Sequence, residues 1–269
     1  MLICQVTDLH VCPSGRLAYG AVDTNGMTER ALAAVAAFKP RPDAVLVTGD
    51  LVEGGADAAY AYLLALFRRH LSVPVYVIPG NHDQREPMRR VLAGMPGLSS
   101  CDGRYIQYVV DDLPVRLVML DTLVPGHNYG ELCSERLDFL DRSLAAAPDR
   151  PTVIAMHHPP FDCGIGFMDQ DRLRDSSGLA AIVARHRQVD RILCGHVHRA
   201  VVGRVGRVPV VIAPSPCHQV ALALAPGAPG AFVLDPPTYA VHRWTDSDGF
   251  CTHMAYVGPT PGPFPFSAG

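Results

Sequence analysis

Short apolar runs recur along the chain, and each of them ends in polar residues. Five runs are four to six residues long and contain many β-branched side chains, a combination typical of buried β-strands. These runs cover residues 2–6, 44–47, 73–78, 152–156 and 191–194. We therefore predict a β-strand from each of the five.

Segments with a helical spacing of apolar residues alternate with these strands through the first half of the chain. Several begin near a Ser, Thr or Asp residue, which can cap the first turn of a helix. The predicted helices cover residues 28–38, 57–69, 86–92, 134–146 and 177–186. Strands and helices in this order indicate an α/β fold.

Other apolar runs follow one another too closely for helices to lie between them. Residues 106–110 and 115–120 flank an Asp-Asp-Leu-Pro turn at 111–114, a pattern typical of a β-hairpin with antiparallel pairing. Residues 209–213, 230–234 and 239–244 predict three more strands. We therefore expect two mixed sheets packed face to face, with helices on the outside.

Histidine and carboxylate residues directly follow the first five strands, in five short motifs. In chain order the motifs are Asp8-Leu9-His10, Gly49-Asp50, Gly80-Asn81-His82-Asp83, His157-His158 and Gly195-His196-Val197-His198. Functional loops in α/β sheets lie at the carboxyl ends of the strands, so these motifs are expected to meet at one edge.

Side-chain alternation at a strand end gives a finer expectation. Residues two apart point to the same side of a strand, which would place Asp8 with His10 and His196 with His198. By the same argument His158 would point away from His157, which favours a hydrogen bond to the site over a direct role in it.

Asp and His side chains bind borderline divalent ions such as Zn, Fe, Mn or Co, and one carboxylate between two ions can bridge them. Asp50 is the candidate bridge. Two ions about 3.5–4 Å apart can hold a phosphoryl group and lower the pKa of a bound water to about 7. The motif set therefore predicts a two-metal hydrolase of phosphoesters.

The five motifs in this order resemble the calcineurin-like metallophosphoesterase superfamily. Three further segments resemble its bacterial class III cyclic-nucleotide phosphodiesterases and their glycerophosphodiesterase branch: residues 17–20 with Asp23 and Asn25, residues 41–45, and residues 218–220. The resemblance runs from Met1 to about Tyr256. It implies a four-layer α/β/β/α sandwich, with a catalytic domain at residues 1–257 and a proline-rich tail at 258–269.

The resemblance also implies a role for each motif residue. A first ion would be held by Asp8, His10, Asp50 and His198, and a second ion by Asp50, Asn81, His157 and His196. The expected catalytic residues are Asp50 and His82, and the expected substrate-binding residues are Asn81, His82 and His218. His82 would stabilise developing charge or protonate the leaving alkoxide, and Asp83 would orient a ligand or the loop.

The implied reaction is hydrolysis of small phosphodiesters, such as 3′,5′-cyclic AMP or glycerophosphodiesters, by metal-activated hydroxide. The cofactors would be two divalent ions per chain, each of which could be Fe, Mn, Zn or Co. The chain would form a dimer or a larger homo-oligomer. A phosphomonoesterase or a protein phosphatase remains an alternative function. However, protein phosphatases of this superfamily have the motif G-N-H-E, whereas this chain has Asp83 at the last position of that motif. A DNA-processing nuclease and a decayed, non-catalytic scaffold are further alternatives.

Composition limits these alternatives. The 269 residues are 48% hydrophobic and 18% charged, which is enough for one substantial core. No segment before the first motif resembles a signal peptide, and no run reaches the ~20 apolar residues of a membrane span. We therefore expect a cytoplasmic protein that starts at Met1. A net charge of −3 with dispersed Lys and Arg argues against a nucleic-acid polymer as partner.

The eight cysteines form no C-x-x-C pair, so we expect most of them to be buried thiols. One structural disulfide remains an alternative. Four histidines outside the motifs are expected to be surface or satisfied core residues: His70, His186, His242 and His253. His127, in a loop with Gly126 and Gly130, is a candidate for the wall of the pocket.

Overall fold

Two mixed β-sheets form the centre of the computed structural model, which describes residues 1–101 and 103–266. The first sheet has the strand order β13-β12-β1-β2-β3, and the second has the order β4-β5-β6-β7-β9-β8. In the first sheet β1 pairs in parallel with β2, and β2 with β3, while β12 and β13 are antiparallel. In the second sheet β5, β6, β7 and β9 are parallel, and both edge strands are antiparallel.

The strand bounds are as follows: β1 Leu2–Val6, β2 Ala44–Thr48, β3 Val75–Ile78, β4 Tyr108–Val110, β5 Arg116–Met119, β6 Thr152–Ala155, β7 Val189–Cys194, β8 Val201–Val205, β9 Val208–Ile212, β10 Gln219–Val220, β11 Phe232–Val233, β12 Thr238–Thr245 and β13 Gly249–Tyr256. The short strands β10 and β11 form a separate antiparallel pair. The helices are α1 Thr24–Ala37, α2 Asp57–His70, α3 Arg85–Val91, α4 Ser134–Ala145, α5 Gly166–Asp169 and α6 Ser177–Arg185, with a 3₁₀ turn at Leu98–Ser100.

The hydrophobic core has two parts, divided by the second sheet. On strand β5, Leu117 and Met119 belong to the part that also contains the first sheet and helices α1 to α3, whereas Val118 belongs to the part under α4 and α6. Neighbouring residues thus face opposite sides of a strand that is covered on both. Complete burial of one such aliphatic side chain contributes roughly 1.5–3 kcal/mol. The predicted architecture of two mixed sheets with flanking helices is confirmed.

Several element predictions differ from the structure. Helix α1 begins at Thr24, four residues earlier than predicted, because the side chain of Asp23 caps it by accepting from the Gly26 N–H at 2.9 Å. Strands β8, β10 and β13 and the short helix α5 have no counterpart among the predicted elements. Strands β8 and β13 are edge strands with one solvent-facing side, so their apolar residues are too few to give a strong signal.

Two further expectations concern the cysteines and the chain end. Cys4, Cys12, Cys194 and Cys217 are free thiols that are buried, as expected, and Cys251 is a free thiol that is exposed. Residues 257–266 form neither helix nor strand, whereas the last part of the predicted tail, residues 267–269, lies outside the described residues. The domain boundary at 257 stays a prediction. Within the described chain, helices are too short or too polar to cross a bilayer.

Candidate metal centre

The five sequence motifs meet in one place, between the carboxyl ends of strands from both sheets. Asp8 and His10 follow β1, Asp50 follows β2, and Asn81 and His82 follow β3. His157 follows β6 in the second sheet, and His196 and His198 follow β7. The predicted convergence of the motifs is confirmed, although two sheets contribute to it.

The loops that carry these side chains have an unusual backbone. Positive φ angles occur at Asp8 (54°), His10 (45°), Asp50 (48°), His196 (73°) and His198 (58°). Non-glycine residues rarely adopt this left-handed region, and such strain persists only where the surrounding structure enforces it. The residues therefore lie in loops beyond the strand ends, where strand alternation does not apply. Asp8 and His10 do lie together, as predicted, but His196 and His198 lie in different clusters.

Backbone hydrogen bonds hold the strained loops against each other. The N–H of Asp8 donates to the carbonyl of Gly49 at 3.0 Å, and the N–H of His10 donates to the carbonyl of Asp50 at 3.0 Å. A Cβ atom at Gly80 would overlap the Asp50 side chain, so only glycine allows this close approach. The loops after β1, β2 and β3 thus pack directly against one another.

Four side chains form a first cluster: Asp8, His10, Asp50 and His198, whose candidate ligand atoms all lie within 4.8 Å of one another. Nε2 of His198 lies 3.2 Å from Nε2 of His10 and 3.3 Å from Oδ1 of Asp8. Metal–ligand bonds of about 2.1 Å at tetrahedral or octahedral angles separate neighbouring ligand atoms by about 3.0–3.4 Å. The spacing in this cluster therefore fits coordination of a single cation.

The tautomers of three histidines also fit a cation. Nδ1 of His10 donates to Glu53, Nδ1 of His157 donates to the carbonyl of Thr48, and Nδ1 of His198 donates to the carbonyl of His218, at 2.7–2.9 Å. Because an Nδ1 that faces an oxygen acceptor carries the proton, the lone pair of each neutral ring is on Nε2. Two such lone pairs, 3.2 Å apart in His10 and His198, repel each other unless a cation lies between them.

Asn81 lies at the centre of a second cluster beside the first. Its Oδ1 atom is 3.1 Å from Nε2 of His157 and 3.0 Å from Nδ1 of His196. Oδ2 of Asp50 is 3.4 Å from Nε2 of His157 and 3.6 Å from Nε2 of His10, so this carboxylate faces both clusters. The donor set could hold a second cation that shares Asp50 with the first.

Electrostatics within the cluster follow from burial and the short distances. Burial alone would raise the pKa of Asp8 and Asp50, but nearby imidazoles hold both values below normal, with His198 the main partner of Asp8 and His157 of Asp50. Burial lowers the pKa of His157, yet Asp50 outweighs this and raises it to about 9. The two carboxylates thus provide a negative centre that attracts a proton, and would equally attract a metal ion.

His82 lies outside both clusters. Its backbone N–H donates to Oδ1 of Asp50 at 2.8 Å, while its ring is 29% exposed and faces Glu53. Burial lowers the pKa of His82, but Asp50 and Glu53 raise it to about 9. In the chain without bound ions this imidazole is therefore protonated at neutral pH.

Asp83 binds the backbone of two loops. Its carboxylate accepts from the N–H groups of Leu51, Val52 and Gly80, and from the hydroxyl of Tyr60 at 2.9 Å. These bonds connect the loop after β2 to the loop after β3, as expected for a residue that orients the loop.

His158 differs from the prediction in position. Its ring centroid is 4.8 Å from that of His157 and 4.7 Å from that of His196, so it packs against the second cluster. Nε2 donates to the carbonyl of Asn128 at 2.9 Å, and Nδ1 accepts from the hydroxyl of Thr122 at 2.7 Å. The predicted opposite orientation is wrong because His157 and His158 lie beyond the end of β6, where strand alternation no longer applies.

A cavity of about 320 Å³ opens above the two clusters. His218 lines it, with its ring 4.5 Å from that of His198, and burial together with His198 and His10 lowers the pKa of His218 to about 3. The outer wall consists of Tyr19, Asn128, Phe167, Met168, Asp171, Val220, Gly230, Ala231 and Phe232. A second cavity, of about 620 Å³, meets the first at Asn81 and His82.

The pattern of motifs missed some of these residues. Glu53 contacts two site histidines, and its only signal is its position three residues after Asp50. Asp171, just after α5, and Phe232, on the short strand β11, line the cavity but belong to no motif. His127, a candidate wall residue, packs on Tyr129 with a centroid distance of 4.7 Å, and its neighbour Asn128 faces the main cavity instead.

The remaining histidines are structural. His70 and His186 bond to Glu29 and Asp141, respectively, and His253 lies 3.4 Å from the thiol of Cys251. His242 is fully buried and bonds to Gln5 and Thr252 at 2.9 Å.

Known proteins have sequences similar to this one over nearly the whole length of the chain. Over 267 residues the chain is 36% identical to the probable glycerophosphodiester phosphodiesterase GpdQ of Arcobacter nitrofigilis, covering 99% of this chain and 97% of that protein. It is 37% identical to a probable cyclic nucleotide phosphodiesterase of Rhodopseudomonas palustris, covering 96% and 94%.

A solved structure and a family model agree with the fold. The crystal structure of a dimetal phosphatase from Danio rerio superposes with a TM-score of 0.67 at 14% identity, covering 96% of this chain and 99% of that one, which shows a shared fold. The family model for calcineurin-like phosphoesterases matches residues 1–200, a span that contains all five motifs. The chain therefore belongs to the calcineurin-like phosphoesterase family.

Proposed function

We propose that this chain is a dinuclear-metal phosphodiesterase that hydrolyses small phosphodiesters. The observation that carries the proposal is the pair of adjacent donor clusters that share Asp50 at the floor of one cavity. Such a pair suits a reaction in which negative charge builds up on a phosphoryl group.

The proposal assigns each cluster to one ion. Asp8, His10, Asp50 and His198 hold the first ion, and Asp50, Asn81, His157 and His196 hold the second. The donors are carboxylate, imidazole and amide groups, which suit Fe, Mn, Zn or Co. The ions supply the Lewis acidity that neutralises charge on the phosphoryl group and activates a water.

The chain's own residues then position the substrate and move protons. Attack of water on phosphorus breaks the bond to the leaving alkoxide, which needs a proton as it departs. Nδ1 of His82 faces Glu53, so Nε2 faces the open side of the ring, where the two cavities meet. We assign His82 to protonation of the leaving alkoxide, and His218, on the first cavity, to contact with the substrate.

The surroundings of the site favour a diester over a phosphomonoester. A phosphomonoester dianion is usually held by arginine, but Arg85 already donates to both oxygens of Asp121 at 2.6 and 2.8 Å. Among the described residues that line the main cavity, none is Arg or Lys. The net charge of −3 disfavours a nucleic-acid polymer as substrate.

The natural diester has two candidate classes. One relative is called a glycerophosphodiester phosphodiesterase and another a cyclic nucleotide phosphodiesterase, and both kinds of substrate contain a single diester phosphate. We propose both classes for this chain.

By family resemblance we also propose that the protein is cytoplasmic and forms a homo-oligomer. Size-exclusion chromatography with light scattering would test the oligomeric state.

One experiment tests the activity. Chelation should abolish hydrolysis of bis(p-nitrophenyl) phosphate, and Mn, Co or Zn should restore it, with metal content measured in the same samples. The reloaded enzyme is then assayed on cyclic AMP, glycerophosphoethanolamine and p-nitrophenyl phosphate. Undiminished turnover by verified metal-free protein, or a preference for the monoester, would overturn the proposal.

A further inference from the structure

Glu53 stands at a fixed position beside the candidate metal centre. Its backbone N–H donates to the carbonyl of Val11 at 3.0 Å, and Val11 and Val52 form a parallel bridge. The loops after β1 and β2 therefore hold its backbone, and its side chain remains 31% exposed.

The two carboxylate oxygens of Glu53 bind two different imidazoles. Oε2 accepts from Nδ1 of His10 at 2.7 Å, and Oε1 accepts from Nδ1 of His82 at 3.1 Å. The two rings are 4.6 Å apart, centroid to centroid, at an interplanar angle of 76°. One carboxylate thus spans a residue of the donor cluster and a residue of the substrate cavity.

This arrangement dictates where both rings carry their protons. An ionised carboxylate only accepts hydrogen bonds, so each Nδ1 must be the N–H end of its ring. The lone pair of His10 is then on Nε2, which faces Asp50 and His198. In His82, Nε2 is left for the substrate, and within residues 1–101 and 103–266 no other group hydrogen-bonds to it.

We propose that Glu53 is a positioning residue that fixes the tautomer and ring orientation of both His10 and His82, and so couples the metal centre to proton delivery. The inference rests on the proposed phosphodiesterase function. Carboxylates that orient a metal-ligating histidine are worth about 10–100-fold in metal affinity or activity. Glu53 orients two imidazole rings at once, because each of its carboxylate oxygens accepts a hydrogen bond from a different histidine.

The variant Glu53→Gln tests the coupling, because an amide has one oxygen acceptor and one N–H₂ donor. Only one of the two Nδ1–H groups keeps an acceptor, and the other faces a donor. Glu53→Ala removes both acceptors and should have at least as large an effect. Asp57→Asn is the matched control, since Asp57 is an exposed carboxylate four residues away that pairs with Arg90.

The first readout is spectroscopic and does not depend on turnover. Long-range ¹H–¹⁵N NMR of Zn-loaded protein should report protonated Nδ1 for His10 and His82 in the parent chain and in Asp57→Asn. In Glu53→Gln at least one ring should change its tautomer or begin to exchange between tautomers. Unchanged tautomers of both rings in Glu53→Gln and Glu53→Ala would overturn the proposal.

The second readout is the dependence on the leaving group. Glu53→Gln should lower kcat about 10–100-fold on glycerophosphoethanolamine, but less on bis(p-nitrophenyl) phosphate, whose leaving group needs little protonation. In a His82→Ala background, the same change should no longer alter the ratio of the two rates, because both substitutions act through one ring. Equal effects with and without His82 would also overturn the coupling.

The two proposals fail in distinguishable ways. If the parent chain shows no diester hydrolysis with any metal, the proposed function is wrong, while the NMR result still decides whether Glu53 fixes the tautomers. If Glu53→Gln instead loses a full equivalent of bound metal, Glu53 is itself a ligand, together with His10 and His82, and the positioning role is wrong.

Discussion

The floor and the outer wall of the cavity are built by different rules. On the floor, Asp8, Asp50 and His157 are at most 2% exposed and follow central strands of both sheets. On the outer wall, Tyr19 and Phe232 are 53% and 41% exposed and come from a loop and from the short strand β11. The floor is fixed by the sheets, whereas the wall is attached to them by connecting segments.

From this difference we infer that the floor residues carry out the reaction, whereas the wall residues determine which substrates are used. Buried carboxylates and imidazoles are costly unless each has a partner, so the floor tolerates few arrangements and a small shift would leave charges unpaired. The wall contains exposed aromatic groups and one carboxylate, Asp171, near the amide of Asn128. Changes in the floor should therefore abolish the reaction, and changes in the wall should alter which substrates are used.

The largest effect is expected at Asp50. Asp50→Ala removes the carboxylate that faces both clusters and leaves two cations without shared negative charge at close range. Metal analysis should show loss of at least one ion per chain, and diester hydrolysis should fall by about 10³-fold or more. Asp149→Ala, at an exposed acidic residue away from the site, is the control. Two retained ions with a near-normal rate would place the bridge elsewhere.

A smaller effect, which depends on the leaving group, is expected at His82, a residue beside the donor clusters that lines both cavities. His82→Ala keeps the backbone N–H that donates to Asp50, so both ions should remain. We expect kcat to fall about 10²–10⁴-fold on an alkyl diester and less on bis(p-nitrophenyl) phosphate. His70→Ala, which removes an imidazole bonded to Glu29, should leave both rates unchanged. Equal losses on both substrates would assign His82 to charge stabilisation instead of proton transfer.

The sequence predicted the floor better than the wall, for physical reasons. Strands such as β2 are buried on both faces, so they appear as continuous apolar runs, and the motif that follows each run marks a strand end. The convergence of the motifs therefore followed from the strand ends, whereas the grouping of Asp8, His10, Asp50 and His198 followed from the family resemblance. The left-handed backbone at these residues, which aims the side chains, has no simple signature in non-glycine residues.

Other features depend on contacts between distant segments, which residue patterns do not encode. The contact of Glu53 with His82 joins residues 29 apart, and the bond of His158 to Asn128 joins residues 30 apart. The outer wall combines Tyr19, Asp171 and Phe232 from three separate parts of the chain. Neither spacing nor hydropathy predicts which loops lie side by side, so the wall appeared only in the structure.

The smallest effect is expected on the wall itself, at Asp171. Its carboxylate lines the cavity, is half-buried, and forms no salt bridge within the described part of the chain, so it is free to pair with a cationic leaving group such as ethanolamine. Partly exposed ion pairs contribute about 0.2–1 kcal/mol, so Asp171→Asn should raise KM for glycerophosphoethanolamine about two- to five-fold. The values for bis(p-nitrophenyl) phosphate and cyclic AMP should stay constant, because neither carries an ammonium group. Asp162→Asn, at an exposed carboxylate in the same segment that pairs with Arg172, is the matched control. A proportional loss of kcat on all three substrates would show that the wall also supports the chemistry, and the division between floor and wall would no longer hold.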